Sequence, residues 1–394
     1  VTIHREGSHQ LHLQQAAALM VMLLIMIMGS VAFLLSSLNS SAIQIDRDKK
    51  TTIALAQAKE ALIGDTVSSL SLATAGYLRL PDLGFGIGNA PEEGNSPPNF
   101  SGNDTDYSVI GKVPWKTLGI SPSRDGQGEC IWYVLSGRFK NDPTTNSAFN
   151  SDTLGQIDVV DGNGRTIASN IVALLIAPGV PLDGQNRALS DPAYTQCGGN
   201  YDARNYLDSY KNSDAVSGEV NYFTGSTDNR IALNTGHKRF VMTVNNHYND
   251  RFLFITADDI FRPIIRRADY SAQITQLMSD SYFHSISITG SKGTGSVICN
   301  NLNIPANRML CTNWLTLLLL KSTTGNCSRV LLFGGQKTSA QVRVTASDIA
   351  KPANYLEGVN LTNFALPSPN SGNFTGASAF NANRPSSDLL WCIP

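Results

Sequence analysis

AAALMVMLLIMIMGSVAFLL, residues 16–35, is a run of twenty residues interrupted only by Gly29 and Ser30 and containing no charge. At about 1.5 Å per residue such a run is about 30 Å long as a helix, the thickness of bilayer hydrocarbon. The sequence therefore predicts a membrane-spanning helix over 16–35. A removed secretory signal is the weaker reading, because an h-region is roughly 7–15 residues and no clear small-x-small cleavage site follows directly. The next stretch, SSLNSSAIQIDRDKKTTIALAQAKEALIG, reaches Gly64 without a glycine and has no proline before Pro81, so the helix can continue past the membrane. Residues 16–63 as one helix would be about 72 Å long. Ile45, Ile53, Ala56, Leu62 and Ile63 trace a partly apolar stripe, and Asp46, Arg47, Asp48, Lys49 and Lys50 mark the water boundary. A plain signal anchor with a helical stalk would share this pattern.

The chain has 394 residues, enough for a large exported body. Lys and Arg total 30 against 31 Asp and Glu, which supplies no general field for nucleic acid or an anionic surface. Charged residues make up only 15%, and Gly, Asn, Ser and Thr are plentiful, which suits a loop-rich exported domain. On orientation the charges point the other way: Arg5 alone precedes the span while Arg47, Lys49 and Lys50 follow it. That rule is a bias which large domains override. Six cysteines, Cys130, Cys197, Cys299, Cys311, Cys327 and Cys392, contain no C-x-x-C pair, which removes zinc-ribbon and thioredoxin-like readings. An even count downstream of a membrane segment favours disulfides in an oxidising compartment, with free buried thiols as the alternative.

The Gly-, Pro-, Asn- and Ser-rich segment 65–129 reads as a long surface loop with little regular structure. Strands are predicted in 130–137, 157–169 and 170–178, with a hairpin turn at Asp161-Gly162-Asn163-Gly164, and again at 239–244 and 251–256. A helix is predicted to start after Asp258-Asp259 and run toward Met278, with Pro263 in or just past its first turn. WLTLLLLKS at 314–322 is a short buried helix or strand, RVLLFGG at 329–335 is strand-like, and Trp391 and Cys392 dock the C-terminus. The expected fold class is α+β: a long N-terminal membrane-spanning helix packed against an antiparallel β-rich domain. The expected divisions are a cytoplasmic leader at 1–15, the helix at 16–64, the loop region at 65–129 and a periplasmic domain at 130–394.

Signals for chemistry are weak. His237, His247 and His284 lack H-x-x-x-H or H-x-H spacing, no G-x-S-x-G occurs, and GSKGTGS at 290–296 lacks the order of a phosphate loop. Asp158, Asp161 and Asn163 could offer oxygens to calcium, although a solvated hairpin turn is the favoured reading. Arg262, Arg266 and Arg267 put positive charge near one helical face, but Asp258, Asp259 and Asp269 stand close enough to neutralise it. Trp115, Trp132 and Tyr133 are better explained as core than as a sugar platform. No catalytic residue, cofactor or metal is assigned.

From HLQQAAALMVMLLIMIMGSVAFLL through KEALIG, roughly residues 12–64, the chain resembles the N-terminus of minor pilins, whose leader ends before an apolar helix. IGKVPWKTLGISPSRDGQGECIWYVLSG at 110–137, VALLIAPG at 172–179, CGGNYDARNYLD at 197–208 and DRFLFITADDIFRPIIRR at 250–267 resemble a family of large proteobacterial proteins with such N-termini. The resemblance implies a minor pilin-like or pseudopilin-like subunit in the inner membrane. Its partners would be other pilin subunits met through the N-terminal helix, in a type IV pilus or a type II secretion filament. Ala16 stands where the family has the glycine before the prepilin peptidase cut, so processing there would make Ala17 the first residue and Val21 the fifth. The glutamate that major pilins carry at the fifth position is absent, as in pseudopilins placed at filament tips and equally as in an uncleaved protein. Cys130 and Cys197 both lie inside segments carrying the resemblance, which implies that they pair; the last four would then pair among themselves by any of three connectivities. The rival readings are a tethered binding protein or adhesin using 65–129 and the C-terminal tail, and a tethered periplasmic hydrolase.

Overall fold

The computed structural model describes residues 7–86, 90–97, 108–140, 148–208, 238–245, 247–286 and 299–394, with the side chains of the first helix described at a few positions before residue 41 and continuously from there. One helix, α1, runs Gly7–Val67. Gly64 does not end it, since a glycine costs a helix only about 1 kcal/mol. Among the described residues no helix is long and apolar enough to cross a membrane. The stretch 16–35 falls mostly on residues whose side chains lie outside those described.

The C-terminal part of α1 docks through Thr51, Ala54, Leu55, Ala58, Leu62 and Thr66, all buried and spaced three or four apart. This corrects the stripe expected from the sequence. Leu62 does face inward, but Ile45 and Ile53 are 67% and 44% exposed and Ala56 is exposed as well. Small side chains at 54 and 58 let the helix axis come close to a sheet, which bulky β-branched residues there would prevent.

Among the described residues ten strands follow: β1 Val109–Lys112, β2 Trp132–Leu135, β3 Ile157–Val160, β4 Thr166–Ile171, β5 Ala173–Ala177, β6 Lys238–Val241, β7 Arg251–Ile255, β8 Leu318–Ser322, β9 Arg329–Phe333 and β10 Leu389–Ile393. The central sheet has the order β1-β2-β5-β7 and is antiparallel throughout. Its inner strands β2 and β5 are continuously apolar because both faces are covered. Tyr133, Leu135, Ala173, Leu175 and Ile255 join the core beneath α1, whereas Trp132, Val134, Leu174 and Ile176 join a second core beneath the sheet β4-β3-β6. Residues alternate between these cores as the pleat requires.

The outer sheet departs from the expected antiparallel pattern: β3 pairs antiparallel with β4 but parallel with β6. A parallel pair needs a crossover of a dozen or more residues, and β5 with the long stretch after it supplies one. The hairpin turn lies where predicted, with Gly164 at φ +78° and the Asp161 carboxylate accepting from Asn163 N and Arg165 N. The stretch 170–178 is not one strand. Asn170 at φ 56° turns the chain from the outer sheet into the central one, a conformation that Asn tolerates better than most residues.

The predicted helix after Asp259 is two helices, α2 Ala257–Ile265 and α3 Ala268–Met278. Thr256 and Asp259 form a reciprocal capping box, so α2 starts earlier than expected and Pro263 sits beyond its first turn. The segment 314–322 combines a helix end, a single 3-10 turn and β8. β8, β9 and β10 form an antiparallel sheet of order β10-β9-β8, which anchors the C-terminus. Trp314 packs edge-on to Phe261 and Tyr270 and tilted on Phe333, joining this sheet to α2 and α3.

The segment 65–129 is not the surface loop expected from its composition. Leu72, Ala75, Tyr77, Leu78, Leu80 and Leu83 are buried and β1 forms within it, so the core begins here rather than at Cys130.

Candidate functional site

The surface of α1 is the first candidate. Polar contacts fix the helix at several levels along its docked length. Arg251 Nη1 donates to Asp48 at 2.8 Å, and Gly126 N donates to Thr51 Oγ1 at 2.9 Å. Lys59 Nζ reaches Asp259 at 3.0 Å and the Phe254 carbonyl at 3.1 Å. Burial pushes the Asp259 carboxyl up, but bonds from Thr256 and Lys59 outweigh it and leave the group below its ordinary value. At the last turn Arg267 donates to the carbonyls of Val67 and Ser69 at 2.9 and 2.6 Å, which satisfies acceptors that a helix end leaves open. Ile45, Ile53 and Ala56 lie roughly on the opposite side of the helix from the docked stripe. A cleft of about 1080 Å³ runs beside this flank, bounded by Lys50, Ile53 and Gln57 on α1 and by Ile120 and Arg124 on the facing loop. The same helix thus spends one apolar face inside the molecule and leaves Ile45, Ile53 and Ala56 in solvent among Lys49, Thr52 and Glu60.

The structure bonds Cys130 to Cys197, Cys299 to Cys311, and Cys327 to Cys392. Around the first bridge lies a buried polar cluster. Glu93 accepts from the backbone of Cys197 at 2.9 Å and of Gln196 at 2.5 Å. Asp82 accepts from Gly84 N, Gly94 N and the Tyr201 hydroxyl. Lys112 donates to the Gly198 carbonyl at 3.1 Å, with its ammonium 4.4 Å from the Tyr201 ring centre. These bonds pin segment 195–201 against β1. Burial drives the Asp82 carboxyl up to about 6 and the Lys112 ammonium down to about 8.

The other residues singled out in the sequence do not converge on a site. Ala16 and Ala17 belong to α1, but their side chains lie outside the described residues, as do 290–296 and His237. Asp161 holds its own turn and Asp158 accepts from Asn170 N at 3.1 Å, so their oxygens serve different stretches of backbone. Among the described residues no group of three or more His, Cys, Asp or Glu could hold a metal ion. Arg262 pairs with Asp258 and Arg267 with Asp269, which gives a salt-bridged face. Trp132 tilts against Tyr206 in the second core, and the Tyr133 hydroxyl donates to the Arg79 carbonyl. Comparison of the chain with protein-family models, curated proteins and solved structures finds no match.

Several buried carboxyls carried no signal in the sequence. Burial lifts Asp208 to about 6, raises Asp125, and, with the Asp208 charge beside it, raises Asp250; burial lifts Asp388 to about 7. A carboxyl with a higher pKa folded than unfolded keeps its proton in the native state after the unfolded chain has lost its own. Stability then falls as pH rises from the unfolded value near 4 to the folded value, by up to about 1.4 kcal/mol per pH unit for each group. The urea midpoint should be higher at pH 4.5 than at pH 7, and a midpoint that rises over this interval would contradict the assignment.

Proposed function

We propose that the protein is a minor pilin-like or pseudopilin-like structural subunit, anchored in the inner membrane by the first part of α1, with its α+β body on the periplasmic side or on a filament. The observation that carries this reading is that α1 docks one face on the body and leaves Ile45 and Ile53 in solvent, on a helix whose first half is uncharged over 16–35. Packing of this side of α1 against a neighbouring helix would bury Ile45 and Ile53. Three disulfides suit an oxidising compartment. The partners are other pilin-like subunits, and the reading requires no cofactor and no nucleic acid.

Two results are expected. The full chain fractionates with the inner membrane and resists carbonate washing, while a chain lacking residues 1–36 is soluble and folded; release of the full chain by salt would refute the anchor. Replacing Ile45 and Ile53 with aspartate changes the stability of the body by less than about 0.5 kcal/mol, as for other exposed positions. The same pair abolishes crosslinking to neighbouring subunits through α1. Crosslinking that survives the double substitution would remove this side of α1 from the proposal.

A further inference from the structure

Residues 178–208 leave the central sheet after β5, and their far end is fastened to the start of β7 by two aspartates that the function above does not use. Asp208 is fully buried and Asp250, immediately before β7, is 3% exposed. Each carboxyl binds the other's backbone. Asp208 N donates to Asp250 Oδ2 at 2.9 Å, and Asp250 N donates to Asp208 Oδ2 at 2.8 Å. Asn249 N donates to the same Asp208 oxygen, and Gln185 Nε2 donates to the other at 3.3 Å. Asp250 Oδ1 is buried and receives no hydrogen bond.

Two negative charges held this close and out of water need a counter-charge or a proton. Arg187 acts on both electrostatically, but its guanidinium is spent on the carbonyls of Gly179, Asn205 and Tyr206, on Gln185 and on Glu129. The other charged or titratable groups nearby are engaged elsewhere or exposed: Asp125 holds Gly179 N, Arg251 pairs with Asp48, and His247 is exposed. A metal ion would need further ligands, and among the described residues no group of three or more His, Cys, Asp or Glu could hold one. A proton remains. A protonated carboxyl loses its charge but keeps acceptor capacity, so the cross-bonds to the backbone survive. Burial raises both carboxyls, Asp208 to about 6, and the Asp208 charge raises Asp250 further.

The fastening matters beyond the two residues. Ala203, Tyr206 and Leu207 pack in the second core, where the Tyr206 ring lies 5.1 Å from that of Trp132. Freeing Asp208 frees the end of the stretch that carries them. We propose that the Asp208–Asp250 pair is a proton-operated latch, which holds residues 203–208 against the start of β7 while it keeps one proton and releases them at alkaline pH when both carboxyls ionise. The closed form carries the proton, whereas the open form, with both groups in water, loses it near pH 4. Opening is therefore rarest below about pH 4 and grows as pH rises, by at most about tenfold per pH unit for each carboxyl.

Hydrogen exchange of the full chain in detergent, corrected for the intrinsic rate, reads the latch at the amides of Asp208, Asn249 and Asp250. Their opening constant should rise at least about tenfold from pH 5 to pH 8, a larger change than in β8 and β9. D250N keeps the shape of the side chain without its charge. It should leave protection unchanged at pH 5 and raise it at least about fivefold at pH 8, whereas loss of a purely structural contact would lower protection at both. H247Q should leave the pH response as it is. The proposal is overturned if protection is equal at the two pH values, if D250N lowers it at pH 8, if H247Q removes the response, or if calcium chloride restores protection to the parent at pH 8. None of these outcomes bears on the anchored-subunit reading, which rests on α1.

Discussion

Replacing Cys130 and Cys197 together by serine should lower the stability of the body by about 4 kcal/mol, the chain-entropy value for a bridge closing a loop of this size. The bridge spans a sequence separation of 67 and lies beside the Glu93 carboxylate, which holds Gln196 and Cys197 by their backbone nitrogens. Without the covalent link, segment 195–201 is organised by the polar contacts of Glu93, Lys112, Asp82 and Arg124. The measurement is the urea midpoint of the double variant against the parent, at equal m-value. A loss below about 1 kcal/mol would mean that the polar cluster positions the segment without the disulfide. Non-reducing peptide mapping of exported protein should yield the same three pairs found in the structure, and a bridge from Cys130 or Cys197 to any of the last four would contradict them.

Ala58→Glu should cost at least about 3–5 kcal/mol, the range found when a buried charge is left without a partner. Ala58 is fully buried between α1 and the central sheet, at the centre of the docked stripe. The adjacent Lys59 is already bonded to Asp259 and the Phe254 carbonyl on the neighbouring flank. The expected readout is limited proteolysis cutting within residues 51–67 of the variant and not of the parent. Ala56→Glu, two residues away on the exposed side, is the control and should stay within about 0.5 kcal/mol. Equal resistance of the two variants would show that α1 does not depend on this stripe.

Strands β2, β5 and β7 of the central sheet were legible because they carry local signals, apolar runs bounded by turn residues, whereas β1 lies inside the segment read as a loop. Which face each residue takes also follows from simple alternation, as Trp132 and Tyr133 show by entering different cores. The docked face of α1 was misread because hydrophobicity ranks isoleucine above alanine, whereas close approach to a sheet selects for Ala54 and Ala58. The break between α2 and α3 has no strong local marker, since the run of apolar spacing passes straight through Arg266 and Arg267. Segment 65–129 was assigned to the surface on composition, yet burial there depends on contacts with residues more than a hundred positions away, such as Tyr201 with Asp82. The paired carboxyls at Glu357 and Asp388 could not be found from spacing at all. They stand 31 positions apart in sequence, and the Asn360–Asp388 hydrogen bond ties the helix Gly358–Ala365 to the residue before β10.

The bonds from Lys59 to Phe254 and Asp259 cross 195 and 200 positions of sequence, which has a consequence for how the chain is made. When residues 51–67 leave the ribosome, the strands they will cover do not yet exist. At about 5–20 residues per second the wait is about 10–40 s. During that time the alanine and leucine stripe of α1 has no partner within its own molecule, and the contacts that finally close it are among the slowest kind to form. Biogenesis therefore has to shield this stripe for tens of seconds, and agents that hold nascent apolar helices apart should affect yield far more than they affect the finished protein.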